Sequence, residues 1–155
     1  MVRIARQVIA GIVATGLLAA VPAQASVPLQ AEKLRRLDIM LMVTALRCRN
    51  TADNFQGDFA AFEAAHLQEL NGAANEIRKD MALHYGAAGA DRALDRISTG
   101  MANQYGQGHP WLSCADLKNV AQSLAEMRGT AALEEAADQV LAESGSDAQL
   151  AWVRR

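Results

Sequence analysis

The residues with the widest chemical capability lie in one short stretch, where hydrogen-bonding side chains, flat rings and glycines occur together. The candidate ligand-binding residues are Asn103, Gln104, Tyr105, Gln107, His109 and Trp111. Gly106 and Gly108 would let the backbone approach a ligand closely, because glycine has no Cβ. Binding groups often lie on loops held by a rigid scaffold. The sequence therefore predicts a binding loop, with the alternative that its rings only fill the end of a helical core.

Three histidines, His66, His84 and His109, are the candidates for metal binding or acid–base chemistry. None lies four residues from another, so the helical spacing of a zinc site is missing, and so is a Cys-x-x-Cys-His haem motif. No nucleophile elbow, dinucleotide-binding glycine motif or phosphate loop occurs. We therefore predict no metal and no cofactor, and we assign no catalytic residue. The enzyme alternative is a small hydrolase with its site in the 105–111 loop and His109 as the base.

The first 25 residues have the pattern of a signal peptide. Arg3 and Arg6 precede an apolar run of about fourteen residues, which is shorter than the roughly 20 that span a bilayer. Ala23 and Ala25 place small residues at the two positions that a signal peptidase reads. We expect export to the periplasm, cleavage near Ala25 and no membrane anchor after cleavage.

Because we expect export to the periplasm, we interpret the two cysteines, Cys48 and Cys114, as residues of an oxidising compartment. Thiols of exported proteins generally pair, so the sequence predicts a disulfide between them. Closing a loop of this length stabilises a fold by roughly 4 kcal/mol in the chain-entropy model. No Cys-x-x-Cys spacing indicates a redox pair instead.

The charge of the chain argues against a nucleic-acid partner. Its formal net charge is −2, and the leader contributes two arginines and no acid, so the mature chain is more acidic still. Nucleic acids and anionic membranes favour basic patches. The basic pairs Arg35–Arg36 and Arg47/Arg49 are predicted to be solvated helix positions. The remaining partners are an envelope protein, a peptide or a small ligand, and a stress-related chaperone or inhibitor is one such protein.

Apolar residues recur with helical spacing along the mature chain, and no long alternation predicts a strand. The predicted helices span about 29–49, 52–85, 90–104, 114–128 and 131–143. Gly86 to Gly89 is predicted to be a turn, and Ser113 with Asp116 has the spacing of a capping box. The expected fold is all-α, a four- or five-helix bundle braced by one disulfide. Its segments are a signal peptide at 1–25, one domain at 26–145 and a tail at 146–155.

One face of each helix carries the predicted core, since its apolar residues repeat every three or four positions. Methionines at this spacing are predicted to be core rather than haem ligands, and His66 is predicted to be a packed core histidine. The inward residues are Leu34, Leu37, Leu41, Ala45, Cys48, Phe55, Phe59, Phe62, His66, Leu70, Ala73, Ile77, Met81, Leu94, Ile97, Met101, Tyr105, Leu117, Val120, Ala121, Leu124, Met127, Leu133, Ala137, Val140 and Leu141.

Three segments resemble a group of small exported, all-helical bacterial proteins of unknown function. They are LDIMLMVTALRCR at 37–49, ALDRISTGMANQYGQGHPWLSCADLK at 93–118 and the spacing of Phe59, Phe62 and His66. Some members of that group bear the name S-adenosyl-L-homocysteine hydrolase. The enzyme of that name is a large NAD-binding protein, whereas this chain lacks a strand–glycine–helix unit for a dinucleotide. The resemblance therefore implies export and a helical fold, and it assigns no catalytic residue.

Overall fold

The computed structural model describes residues 27–142, which form six helices and contain no strand. The helices are α1 (Val27–Cys48), α2 (Gln56–Ala65), α3 (Leu67–Tyr85), α4 (Ala87–Gln104), α5 (Cys114–Glu126) and α6 (Thr130–Leu141). The predicted signal peptide at 1–25 and the predicted tail at 146–155 lie outside the described residues. Across 27–142, no helix combines the length and the apolar character that crossing a membrane requires.

Helix α1 is the centre of the bundle and contacts each of the other five helices. Leu37, Met40 and Leu41 are fully buried on it. Thr44 is also fully buried, and its hydroxyl donates to the backbone carbonyl of Met40 at 2.7 Å, so the polar group is satisfied within the helix. The apolar centre of α1 thus explains why the other helices pack around it.

The predicted long helix at 52–85 is wrong, because the chain bends at His66 and forms two helices instead of one. His66 has φ −120° and ψ 21°, outside the helical region, although its N–H still donates to the carbonyl of Phe62. Helix α2 packs mainly on α5, whereas α3 packs on α1 and α4. The bend redirects the chain between these partners, and it raises the number of helices from the predicted four or five to six.

The turn after α3 is also shorter than predicted. Gly86 alone turns the chain, with φ +69°, and Ala87 already begins α4 rather than Ala90. Gly129, with φ +90°, directly precedes α6, and the extended Met127 together with Arg128 completes the connection from α5. One glycine with positive φ therefore joins α3 to α4, whereas the connection between α5 and α6 contains two further residues that are not helical.

The capping box that starts α5 is confirmed. The hydroxyl of Ser113 accepts from the N–H of Asp116 at 3.2 Å, and the Asp116 carboxylate accepts from the N–H of Ser113 at 3.0 Å. The cysteine pairing is confirmed as well, since the sulfurs of Cys48 and Cys114 are at bonding distance across 66 positions, with Cα atoms 5.8 Å apart. The bridge joins the last residue of α1 to the first residue of α5.

The predicted core is confirmed almost residue by residue. Every predicted inward residue is buried except four, which are partly buried and pack against the core: Met81, Ile97, Met127 and Leu141. Three large apolar residues of the central helix are exposed: Leu29, Met42 and Leu46. Met42 and Leu46 lie four positions apart on one side of α1, so this side of the helix faces solvent near its end.

Candidate binding site

A cleft of about 180 Å³ lies beside the disulfide, between the end of α1, the loop that follows α4 and the start of α5. We call it the disulfide cleft. Its lining residues are Thr44, Arg47, Cys48, Gln107, Gly108, His109, Leu112, Ser113, Cys114 and Leu117. Three separate parts of the chain build it, and the disulfide holds two of them together.

The floor of the cleft is apolar and its rim is polar. Leu112, Leu117 and Cys48 are buried, whereas Arg47 and Gln107 are exposed. Ligand sites commonly combine an apolar surface with a few polar groups that orient the ligand. The disulfide cleft therefore offers a place for a small group that is part apolar and part polar.

The side chain of Arg47 lies against the backbone of the loop. Its Nη1 donates to the carbonyl of Gly106 at 3.5 Å, and no aspartate or glutamate within 27–142 forms an ion pair with it. A Cβ at Gly108 would lie 3.2 Å from Arg47 Nε, and Gly108 has φ +106°. Glycine at this position thus permits both the backbone conformation and the close contact with the guanidinium.

Both ring nitrogens of His109 are engaged by the backbone. Nδ1 accepts from the N–H groups of Leu112 at 3.2 Å and Trp111 at 3.4 Å. Nε2 lies 3.2 Å from the carbonyl of Val140 on α6. An Nδ1 that accepts and an Nε2 that donates define a neutral imidazole with its proton on Nε2. Burial lowers the pKa of His109, against a smaller raising effect of the bond to Val140.

The rings around His109 fill the inner side of the loop. The Tyr105 ring stacks on His109 with centroids 6.0 Å apart, and the Trp111 ring meets His109 edge-on at 4.5 Å. Tyr105 is buried, and burial raises the pKa of its hydroxyl despite the nearby Arg36. These contacts tie the loop to the core and to α6.

The structure brings together two of the six predicted binding residues, since only Gln107 and His109 line the disulfide cleft. Tyr105 and Trp111 pack inward against the core. Gln104 accepts a hydrogen bond from Arg36 at 2.8 Å on the surface of α4. Asn103 is exposed in the last turn of that helix.

Sequence reasoning missed Arg47, which was predicted to be a solvated helix position. It is exposed, yet it lines the cleft and contacts the loop 59 positions away. Its position directly before Cys48 was the available signal. Once Cys48 is paired with Cys114, Arg47 must lie near the start of α5 and the loop that precedes it.

A second polar cluster lies on the other half of α1. Arg35 donates to Asp38 at 3.1 Å and to Ser98 at 3.4 Å. Burial raises the pKa of Asp38, and Glu63 adds to this, while Arg35 opposes it. The charges of Arg35 and Asp38 satisfy one another, so this cluster links helices rather than offering free groups to a ligand. Among residues 27–142, no three metal-ligating side chains of histidine, cysteine, aspartate or glutamate converge.

Comparison of the chain with protein-family models, curated proteins and solved structures finds no match.

Proposed function

We propose that this protein is an exported binding protein of the periplasm and that the disulfide cleft is its ligand site. The ligand is a small molecule or the end of a peptide, because the cleft is too small for a folded partner. The observation that carries the proposal is Arg47, an exposed cation on the rim that has no carboxylate partner within 27–142.

Binding is favoured over hydrolysis by the hydrogen bonds of His109. A general base needs a free nitrogen within reach of the proton that it removes. Nδ1 of His109 already accepts two backbone N–H groups, and Nε2 already donates to Val140. Using either nitrogen as a base would first require the loop to give up these bonds.

Export is supported by the pattern of the first 25 residues and by the pairing of Cys48 with Cys114. Cell fractionation and N-terminal sequencing test it. We expect a periplasmic chain that begins near Ser26 and has no free thiol. A full-length chain with free thiols in the cytosol would overturn this part of the proposal.

Ligand binding is tested by amide chemical-shift mapping of the mature, oxidised protein with a set of small polar compounds and short peptides. We expect shifts at Gln107, Gly108 and Cys114 and at few other amides. Gln107→Ala should weaken binding, whereas Gln68→Ala, a matched change at an exposed site on α3, should not. Shifts that scatter over the surface, or none at all, would contradict the assignment of the site.

A further inference from the structure

We infer that the ligand of the disulfide cleft carries a carboxylate joined to a short aliphatic group; this inference rests on the proposed function. Three properties of the cleft lead to it: the sign of its charge, the free donors on its rim and the size and character of its floor.

The charged side chain among the lining residues is the cation Arg47, and no aspartate or glutamate is among them. Burial lowers the pKa of His109, and its Nδ1 accepts two backbone N–H groups, so the ring is neutral. The neighbouring Asp116 carboxylate accepts from the N–H and the hydroxyl of the lining residue Ser113. Only Nη1 of the guanidinium has an acceptor within 27–142. The remaining N–H groups can meet a carboxylate in the paired geometry for which a guanidinium is suited.

A second donor lies on the same rim. The side chain of Gln107 is exposed and makes no hydrogen bond within the described range. Its amide can donate a hydrogen bond to one oxygen of a ligand carboxylate while the guanidinium of Arg47 forms an ion pair with that carboxylate. Two independent donors on one rim favour a ligand whose polar end accepts hydrogen bonds.

The floor limits the rest of the ligand. Leu112, Leu117 and the Cys48–Cys114 disulfide present apolar surface. A volume of about 180 Å³ is equivalent to roughly six waters at about 30 Å³ each, so it accommodates a branched group of about that many non-hydrogen atoms. Isovalerate has the required chemistry, and so does the C-terminal residue of a peptide that ends in valine or leucine.

The test is an amide-shift titration of the mature, oxidised protein with isovalerate and with its neutral analogue isovaleramide. We expect isovalerate to shift the amide resonances of Gln107 and Gly108 and to bind at least about tenfold more tightly than isovaleramide. The amide lacks the charged hydrogen-bond acceptor of the carboxylate. Arg47→Gln should remove this preference. Arg49→Gln is the matched control, because Arg49 is an exposed arginine two positions away that does not line the cleft.

Two peptide probes separate the possible sources of the carboxylate. A pentapeptide ending in a free leucine is compared with the same peptide amidated at its C-terminus. Tighter binding of the free peptide than of isovalerate would identify a peptide end as the ligand, and weaker binding would identify a free acid. In both cases, the inference of a carboxylate requires that amidation of the C-terminus abolishes any binding of the peptide.

The outcomes distinguish this inference from the proposed function. If isovaleramide and isovalerate bind in the cleft with equal affinity, the inference of a carboxylate is wrong, while the cleft remains a binding site. If no probe and no compound of the wider set shifts the cleft amides, both are wrong. Melting curves of Arg47→Gln and Arg47→Lys establish that the variants fold, and Arg47→Lys should retain part of the preference because it keeps the charge but not the planar fork.

Discussion

Two regions of the molecule use a histidine to join helices, and they do so in different ways. At the helix junction around His66, between α2 and α3, Nε2 lies 2.8 Å from the carbonyl of Leu124 on α5. In the loop at His109, Nε2 lies 3.2 Å from the carbonyl of Val140 on α6. The other nitrogen differs: Nδ1 of His66 is buried with no partner within 27–142, whereas Nδ1 of His109 accepts two backbone N–H groups.

The difference shows which interactions hold each region in its conformation. His66 is fully buried and its ring lies 5.4 Å from that of Phe62, so apolar packing holds the junction even with an unpaired nitrogen. The loop at His109 contains two glycines and borders the open cleft, so hydrogen bonds and the disulfide must fix its shape. Substitutions at the junction should therefore act through packing, and those at the loop through hydrogen bonds, charge and cross-linking.

The largest expected effect comes from the disulfide. Replacing Cys48 and Cys114 together with alanine should lower the free energy of unfolding by about 4 kcal/mol, because the unfolded chain regains the freedom of a long loop. Urea denaturation of the double variant and of the reduced wild-type protein measures this. Near-equal stability of the oxidised wild type and the variant would show that the loop and the cleft do not depend on the cross-link.

At the junction, His66→Ala should lower the free energy of unfolding by about 3 kcal/mol, since a buried ring and its hydrogen bond to the carbonyl of Leu124 are lost and a cavity remains. His66→Gln keeps an amide donor near the position of Nε2 and should restore part of that loss. Urea denaturation compares the two. A decrease of less than about 1 kcal/mol in the free energy of unfolding of His66→Ala would contradict the view that packing stabilises the junction.

Sequence spacing could predict the junction better than it could predict the loop. The positions of Phe62, His66 and Leu70 continue one helical stripe, so the burial of His66 followed from periodicity. The same continuity concealed the bend, because the i to i+4 spacing persists across it. The loop has no period, and the position of Arg47 beside it depends on a cross-link over 66 positions.

At the loop, His109→Gln should change how stability depends on pH. Burial lowers the pKa of His109 below its ordinary value of 6.5, so the folded state favours the neutral ring. The stability gained from the neutral ring is fully present above pH 6.5. It is lost as the pH falls through the lower pKa that His109 has in the folded protein. Between pH 7 and pH 5, the wild type should lose more stability than the variant does.

Urea denaturation at a series of pH values measures this dependence. His84→Gln is the control, because His84 is exposed, its ring contacts that of Tyr85, and it forms no hydrogen bond or ring contact with the loop residues. It should leave the difference between pH 7 and pH 5 unchanged. Parallel curves for the wild type and His109→Gln would mean that the imidazole is not held neutral by the loop.

The smallest expected effect distinguishes the two glycines of the loop. Gly108→Ala should lower the free energy of unfolding by about 1 kcal/mol, because its φ of +106° suits glycine and the new Cβ would press on Arg47 Nε. Gly106→Ala should be nearly neutral, since its φ is not positive and its Cβ would lie at ordinary contact distance from the carbonyls of Asn103 at 3.5 Å and Ala102 at 3.9 Å. Gly108→Ala should also weaken ligand binding by displacing the guanidinium, which Gly106→Ala should leave in place. If the two substitutions gave equal changes in stability and binding, Gly108 would not be the residue that lets the loop lie across Arg47.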